Sequence, residues 1–254
     1  ADNDVQAIQN CTEIDMDMMD SDFAEDEQKC SDVTGIQNFT SLTHLNLSHN
    51  NITFLPELPA GLTFLSVSFN QLTSLPDKLP AGLTLLSVAG NRLSYLPELP
   101  AGLTKLSAFN NQFSSLPENL PAGLTNLDIP DNQLSYLPEL PTGLTHLNVA
   151  GNRLSYLPEL PAGLTFLNVS FNQFTSLPDK LPAGLILLSA RSNKLSFLPK
   201  NLPSNLTWLN VSYNQLQALP DTLPESLTSL DAENNQFKEL DLSNLENLSD
   251  VTVY

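Results

Sequence analysis

The histidines, the cysteines and the acids near the N-terminus are the side chains whose types could do chemistry, so they decide first whether this sequence could be an enzyme. Imidazoles hold zinc or relay protons only with partners a few ångströms away. His44 and His49 have no third ligand in register, and His146 lies far along the chain. Cys11 and Cys30 could pair, closing a loop of roughly twenty residues and stabilising it by about 3 kcal/mol; the alternative is two free thiols. The run Asp15-Met16-Asp17-Met18-Met19-Asp20-Ser21-Asp22 is dense in carboxylates. It lacks the glycine and the closing glutamate of a calcium-binding loop. Ile14, Met18, Met19 and Phe23 suit an amphipathic capping helix instead. There is no phosphate-cradling glycine loop and no nucleophile elbow. The expectation is a protein without catalytic residues, metal or cofactor.

Charge narrows the partners. The 254 residues carry a formal charge of −18, which argues against nucleic acid, because phosphate binding needs clustered Lys and Arg. It also disfavours anionic membrane surfaces. Between Ala1 and Gly35 eleven acids face the single base Lys29, so an acidic head precedes a milder remainder. No apolar run approaches the roughly 18–20 residues of a membrane span, so no membrane insertion is expected. A start at Ala1 rather than Met fits a processed secretory precursor or a trimmed piece, and the expected location is secreted, cell-surface or periplasmic.

What must position these residues is a repeat. The template Leu62-Thr63-Phe64-Leu65-Ser66-Val67-Ser68-Phe69-Asn70 recurs with its first leucine at Leu42, Leu62, Leu83, Leu103, Leu124, Leu144, Leu164, Leu185, Leu206 and Leu227. Eight residues after each stands an asparagine: Asn50, Asn70, Asn91, Asn111, Asn132, Asn152, Asn172, Asn193, Asn214 and Asn235. Positions 1, 4 and 6 of each unit are apolar and 3, 5 and 7 point the other way, the alternation of a short strand. A single coil cannot bury its apolar face alone, so coils stack on a shared leucine core. The asparagine, able to donate and accept, should satisfy backbone groups where the chain leaves the strand.

Between strands runs a proline-rich arm such as Leu55-Pro56-Glu57-Leu58-Pro59-Ala60-Gly61. Proline fixes φ and biases its predecessor away from α, so the arms should be extended or polyproline-like. Gly61 and its equivalents through Gly184 are expected to supply positive φ before the next strand. Pro130, outside the arms, should fall on a strand and interrupt one ladder hydrogen bond. The fold expected is an α/β-type repeat solenoid, a leucine-rich repeat horseshoe with a parallel sheet on its concave face. Its divisions are a helical acidic cap at 1–41, ten repeats of 20–21 residues at 42–241, and a degenerate last repeat at 242–254, where Leu248, Val251 and Val253 fit a strand. That edge could dock another chain and leaves oligomerisation open.

The unit L-P-x-L-P-x-x-L-x-x-L-x-V-x-x-N-x-L resembles the bacterial short leucine-rich repeats of the YopM and IpaH effector type, over about Leu42 to Leu240. The resemblance implies a secreted bacterial protein that binds a protein partner, such as a host protein. Some members carry a C-terminal ubiquitin-ligase domain; none is expected here, since the residues after the repeats leave no room for one before Tyr254. Cys30-Ser31-Asp32 spells that ligase's C-x-D motif, but in the cap, so it is not expected to act as a nucleophile.

A partner would sit on the outward positions. Position 3 gives the column His44, Phe64, Leu85, Lys105, Asn126, His146, Phe166, Leu187, Trp208 and Ser229, and position 8 adds Phe69, Phe171 and Tyr213. Contiguous exposed apolar side chains mark interaction sites, and aromatic anchors favour protein partners. Against this, His44 and His146, Phe64 and Phe166, and Leu85 and Leu187 repeat at a constant offset, so duplication alone could have copied them. Trp208, where the first half has Lys105, favours the C-terminal half. Asp128, Asp131, Asp231 and Glu233 form a candidate acidic patch for a basic partner. A structural or adhesive surface module and a carbohydrate-binding repeat are the alternatives.

Overall fold

The structure, a computed structural model, describes residues 10–17, 29–238, 242 and 247–253. The chain divides into two compact units, Ala1–Asn132 and Gln133–Tyr254. In the first, strands β1 (Glu13–Asp15), β2 (His44–Asn46), β3 (Phe64–Ser66), β4 (Leu85–Ser87), β5 (Lys105–Ser107) and β6 (Asn126–Asp128) pair in parallel, each with the next. In the second, β7 (His146–Asn148), β8 (Phe166–Asn168), β9 (Leu187–Ser189), β10 (Trp208–Asn210), β11 (Ser229–Asp231) and β12 (Asp250–Thr252) do the same. Register is in phase, so equivalent positions of successive coils stand side by side.

Each strand is three residues long because it occupies positions 3 to 5 of its coil. The flanking leucines and valines set its facing. Leu62, Leu65 and Val67 are buried completely, as are Leu185, Leu188 and Ala190. Position 11 closes the core from below, and there Phe113 and Phe174 replace the usual leucine, both fully buried. From β2 onward the described parts of the arms carry neither helix nor strand.

The asparagines tie coil to coil. Asn172 donates from Nδ2 to the carbonyls of Val169 and Ser170 in its own coil and of Val149 in the preceding one, at 3.1, 3.0 and 2.9 Å. Its Oδ1 accepts from the Leu154 amide at 2.9 Å. Asn70, Asn91, Asn193 and Asn214 make the same set. Each therefore satisfies backbone groups, such as the Leu154 amide and the Val149 and Val169 carbonyls, that the bonds between neighbouring strands leave over, and adds a second donor to others such as the Ser170 carbonyl.

The acidic head departs from expectation. Its residues Glu13–Asp15 are a strand, not part of a capping helix; Met18, Met19 and Phe23 lie outside the described residues. Cys11, Ile14 and Met16 stand where Leu42, Leu45 and Leu47 stand one coil on. The backbone confirms the register: Thr43 N donates to Thr12 O as Thr63 N does to Thr43 O, both at 2.9 Å. Asn50 Nδ2 reaches Met16 O at 2.7 Å. This segment is thus a zeroth coil that docks by pairing. A 3-10 turn follows at Ile36–Asn38.

The same register corrects the disulfide. Cys11 and Cys30 are free thiols, donating to the carbonyls of Glu13 and Asp32. Asn50 Oδ1 accepts from Cys30 N at 2.8 Å as Asn70 Oδ1 does from Ile52 N at 2.9 Å, so Cys30 takes the place of Ile52, at position 11. Cys11 is at position 1, and extended chain from Cys11 to Met16 alone runs roughly 16 Å. A bridge requires Cα atoms within about 7 Å.

Two backbone expectations also change. Positive φ falls at position 8 of the ten repeats that begin at Leu42: His49, Phe69, Gly90, Asn110, Asp131, Gly151, Phe171, Ser192, Tyr213 and Asn234, all between 53° and 63°. Gly61 and its equivalents through Gly184 lie outside that region. They sit in turns closed by Leu62 N to Pro59 O and its counterparts, which Asn205 and Ser226 complete equally well (Leu206 N to Pro203 O, 3.1 Å; Leu227 N to Pro224 O, 3.0 Å). Pro130 lies beyond β6, at position 7. There the amides of Ser48, Ser170 and Ser212 bond to an asparagine side chain of their own coil rather than to a neighbouring strand. Proline at this position therefore costs no ladder bond, and its carbonyl still accepts from Asn110 N at 3.0 Å.

Candidate functional site

The second unit brings Phe166, Leu187 and Trp208 onto three adjacent strands as direct register partners. Strand alternation decides their facing: the next residue of each strand, Leu167, Leu188 or Leu209, is fully buried, while these three are half-buried on the outer face. His146 stacks on Phe166, ring centroids 3.9 Å apart and 16° from parallel. Phe171 and Tyr213 are exposed at position 8, on the second and fourth coils of the unit.

Arg191 organises the C-terminal side of this surface, and the sequence reading missed it. Its guanidinium carbon lies 4.4 Å from the Tyr213 ring centroid, a cation–π contact, and Nη1 donates to Ser212 Oγ at 3.2 Å. The same nitrogen is 3.7 Å from both Asp231 Oδ2 and Glu233 Oε1. Asn210 Nδ2 donates to Asp231 at 2.9 Å. Asp231 and Glu233 are therefore not a free acidic patch: one arginine already neutralises them in part. The signal was available, since position 7 holds alanine or serine in most coils and arginine here, with both acids two coils on in phase.

In the first unit Phe64, Leu85 and Lys105 are register partners on β3, β4 and β5. His44 stacks on Phe64 at 5.7 Å, and His49 on Phe69 at 4.5 Å. Phe69 meets the Phe109 edge at 5.8 Å, another residue the sequence reading passed over. Between them Gly90, at φ 61°, leaves room for the ring, because a Cβ there would come within 2.6 Å of Phe69. His49 Nδ1 is 2.9 Å from Asp17 Oδ1, joining the zeroth coil to the first. Asp128 is half-buried and Asp131 exposed at position 8. Among the described residues no three His, Cys, Asp or Glu side chains gather as metal ligands.

Within Cys30-Ser31-Asp32 the thiol donates to Asp32 O at 3.3 Å. The Thr34 hydroxyl and amide donate to Asp32 Oδ1 at 2.6 and 2.8 Å, holding that carboxyl below the usual carboxylate range. Asp32 is thus engaged with Thr34.

The Leucine Rich Repeat family model matches residues 41–62, 205–225 and 226–248. The structure of YopM from Yersinia pestis superposes with a TM-score of 0.80 at 40% identity, over 86% of this chain and 61% of that one. The chain is a leucine-rich repeat protein of the YopM type. A second YopM structure, from Yersinia enterocolitica, gives a TM-score of 0.63 at 34% identity, over 84% of this chain and 60% of that one. A leucine-rich repeat protein of Leptospira interrogans gives 0.67 at 28%, over 84% and 66%. This YopM-type chain thus spans about three fifths of the YopM chains it matches. No curated protein sequence matches it.

Backbone strain singles out position 8 of this YopM-type repeat. A left-handed conformation costs a non-glycine residue about 1–2 kcal/mol and is an outlier for bulky side chains. Phe171 bears that cost while exposed. Phe171→Gly should therefore leave thermal stability unchanged or raise it by about 0.5 kcal/mol, after the entropy that glycine adds to the unfolded chain. Thermal unfolding followed by circular dichroism checks this. A clear drop in melting temperature would mean that the ring serves the fold.

Proposed function

We propose that this protein is a non-catalytic binding module, secreted or displayed by a bacterium, that holds a protein partner, such as a host protein, on the outer sheet face of its second unit. Phe166, Leu187 and Trp208 are the anchors, with Phe171 and Tyr213 at the rim. The observation that carries this reading is the row of three large apolar side chains left half-exposed on adjacent strands. Such clusters supply most of the energy in protein interfaces. Four strand spacings by five residues give a patch of about 300 Å², against roughly 800 Å² per partner in a standard interface. The partner therefore reaches past the cluster; Phe64, Phe69, Leu85, Lys105, Asp128 and Asp131 are proposed as a separate contact surface of the first unit.

The test is capture of partners from host-cell extract by the wild type and by a Phe166→Ala/Trp208→Ala variant with unchanged circular dichroism. Hot-spot truncation should weaken capture about thirtyfold or more. A Phe64→Ala/Leu85→Ala variant should cost less. Undiminished capture by the first variant rejects the site.

A further inference from the structure

A second row of aromatic residues lies outside the sheet face, where the arms begin. Position 13 holds Phe54 and Tyr95, which are 69% and 50% exposed, with Ser74 on the coil between them. Neither ring belongs to the core, because Leu55 and Leu96 beside them fill that role. Phe54, Ser74 and Tyr95 line a groove of about 500 Å³ floored by Leu75 and Pro76 and rimmed by Glu57, Asp77 and Lys78. The arrangement recurs in the second unit at Tyr156, Ser176 and Phe197, both rings more than half exposed. A neighbouring groove of about 560 Å³ there is lined by Pro158, Pro178 and Lys180.

The spacing of the rings selects a ligand. Just before position 13 the coils are still bonded one to the next: Gln71 N donates to Ile52 O and Arg92 N to Leu72 O, each at 2.9 Å. Coil spacing there stays near the strand value of about 4.8 Å, so rings two coils apart repeat at about 9.6 Å. A polyproline II helix advances about 9.3 Å in its three-residue turn. Prolines at i and i+3 of such a segment would meet successive rings, the mode by which aromatic-lined grooves hold proline-rich peptides. The serine between them leaves the space that the intervening residues need. The rim is net acidic, with Glu57 and Asp77 against Lys78, in a chain of charge −18.

We infer that the arm side of this protein binds an extended, proline-rich segment carrying basic residues, one in the Phe54–Tyr95 groove and one at Tyr156–Phe197. This site is separate from the sheet face and does not depend on it.

The test is fluorescence anisotropy with a fluorescein-labelled peptide of about twelve residues that alternates arginine with Pro-x-x-Pro units. Saturable binding of two peptides per chain is expected. Phe54→Ser/Tyr95→Ser should halve the stoichiometry, and adding Tyr156→Ser/Phe197→Ser should weaken binding about tenfold or more. Serine already occupies position 13 in neighbouring coils, so these variants keep the fold, as circular dichroism would verify. Trp208→Ala should bind the peptide as well as the wild type. The inference is overturned by no binding, by equal binding of a peptide whose prolines are replaced by alanine, by binding that survives the fourfold variant, or by saturation with a linear glucan oligosaccharide in place of the peptide.

Discussion

Asn172→Ala should cost this protein roughly 3 kcal/mol, the largest loss expected from any polar substitution. The residue makes four hydrogen bonds and is buried among backbone groups. Alanine strands the Leu154 amide and removes one of two asparagine donors from each of the Val149 and Val169 carbonyls, which keep Asn152 and Asn193. The stranded amide costs about 1–3 kcal/mol, and each carbonyl hydrogen bond lost adds about 0.5–1.5 kcal/mol, reduced where water enters the gap. Asn172→Asp should be at least as harmful: it keeps the acceptor for Leu154 but sets a carboxylate oxygen against three carbonyls. In a stack where each coil touches only its neighbours, the damage should be local. Hydrogen exchange should therefore show the Leu154 and Val169 amides losing protection before amides two coils away. Uniform protection in the alanine variant would show that the asparagine is dispensable.

The second large effect is apolar. Phe174→Ala should destabilise by about 3–5 kcal/mol, since it empties a fully buried aromatic site. Phe174→Leu should cost under about 1.5 kcal/mol. The coils on either side place Leu154 and Leu195 at this position, fully buried in the same layer. The contrast separates cavity formation from any special role of the ring, and chemical denaturation of the two variants measures it. Equal losses would mean that the core at position 11 cannot relax around leucine.

Much of this molecule could be read from its letters because the repeat imposes the same local rule ten times. Leucine at positions 1 and 4 with valine at 6 dictates a strand of period two, and one asparagine per coil dictates a bend with buried partners. The zeroth coil escaped for a physical reason. Cys11, Ile14 and Met16 satisfy the strand rule, yet Ile14 with Met18 and Met19 also fits a helical stripe. Over so few residues the two periods are not distinguishable; pairing with β2 decides between them.

The backbone at position 8 was illegible for the opposite reason. Eight of the ten residues there are not glycine, and the left-handed turn is imposed by the asparagine and by the next coil rather than by local preference. Phe166, Leu187 and Trp208 could be placed on the outer face from alternation alone. Arg191 could not be given its role without a register, because Tyr213, Asp231 and Glu233 are one and two coils away in sequence and adjacent only in the stack.

The asparagine ladder has an evolutionary corollary. Every rung spans a coil and its predecessor, so any in-phase excision or insertion leaves each remaining asparagine with a predecessor to hold. Whole coils are therefore the natural quantum of length change, and a block of five can be copied without mending the seams. The constant offset between Phe64 and Phe166, and between Leu85 and Leu187, is the trace such copying would leave. Outward side chains, exempt from the ladder, were then at liberty to diverge, as Lys105 and Trp208 have.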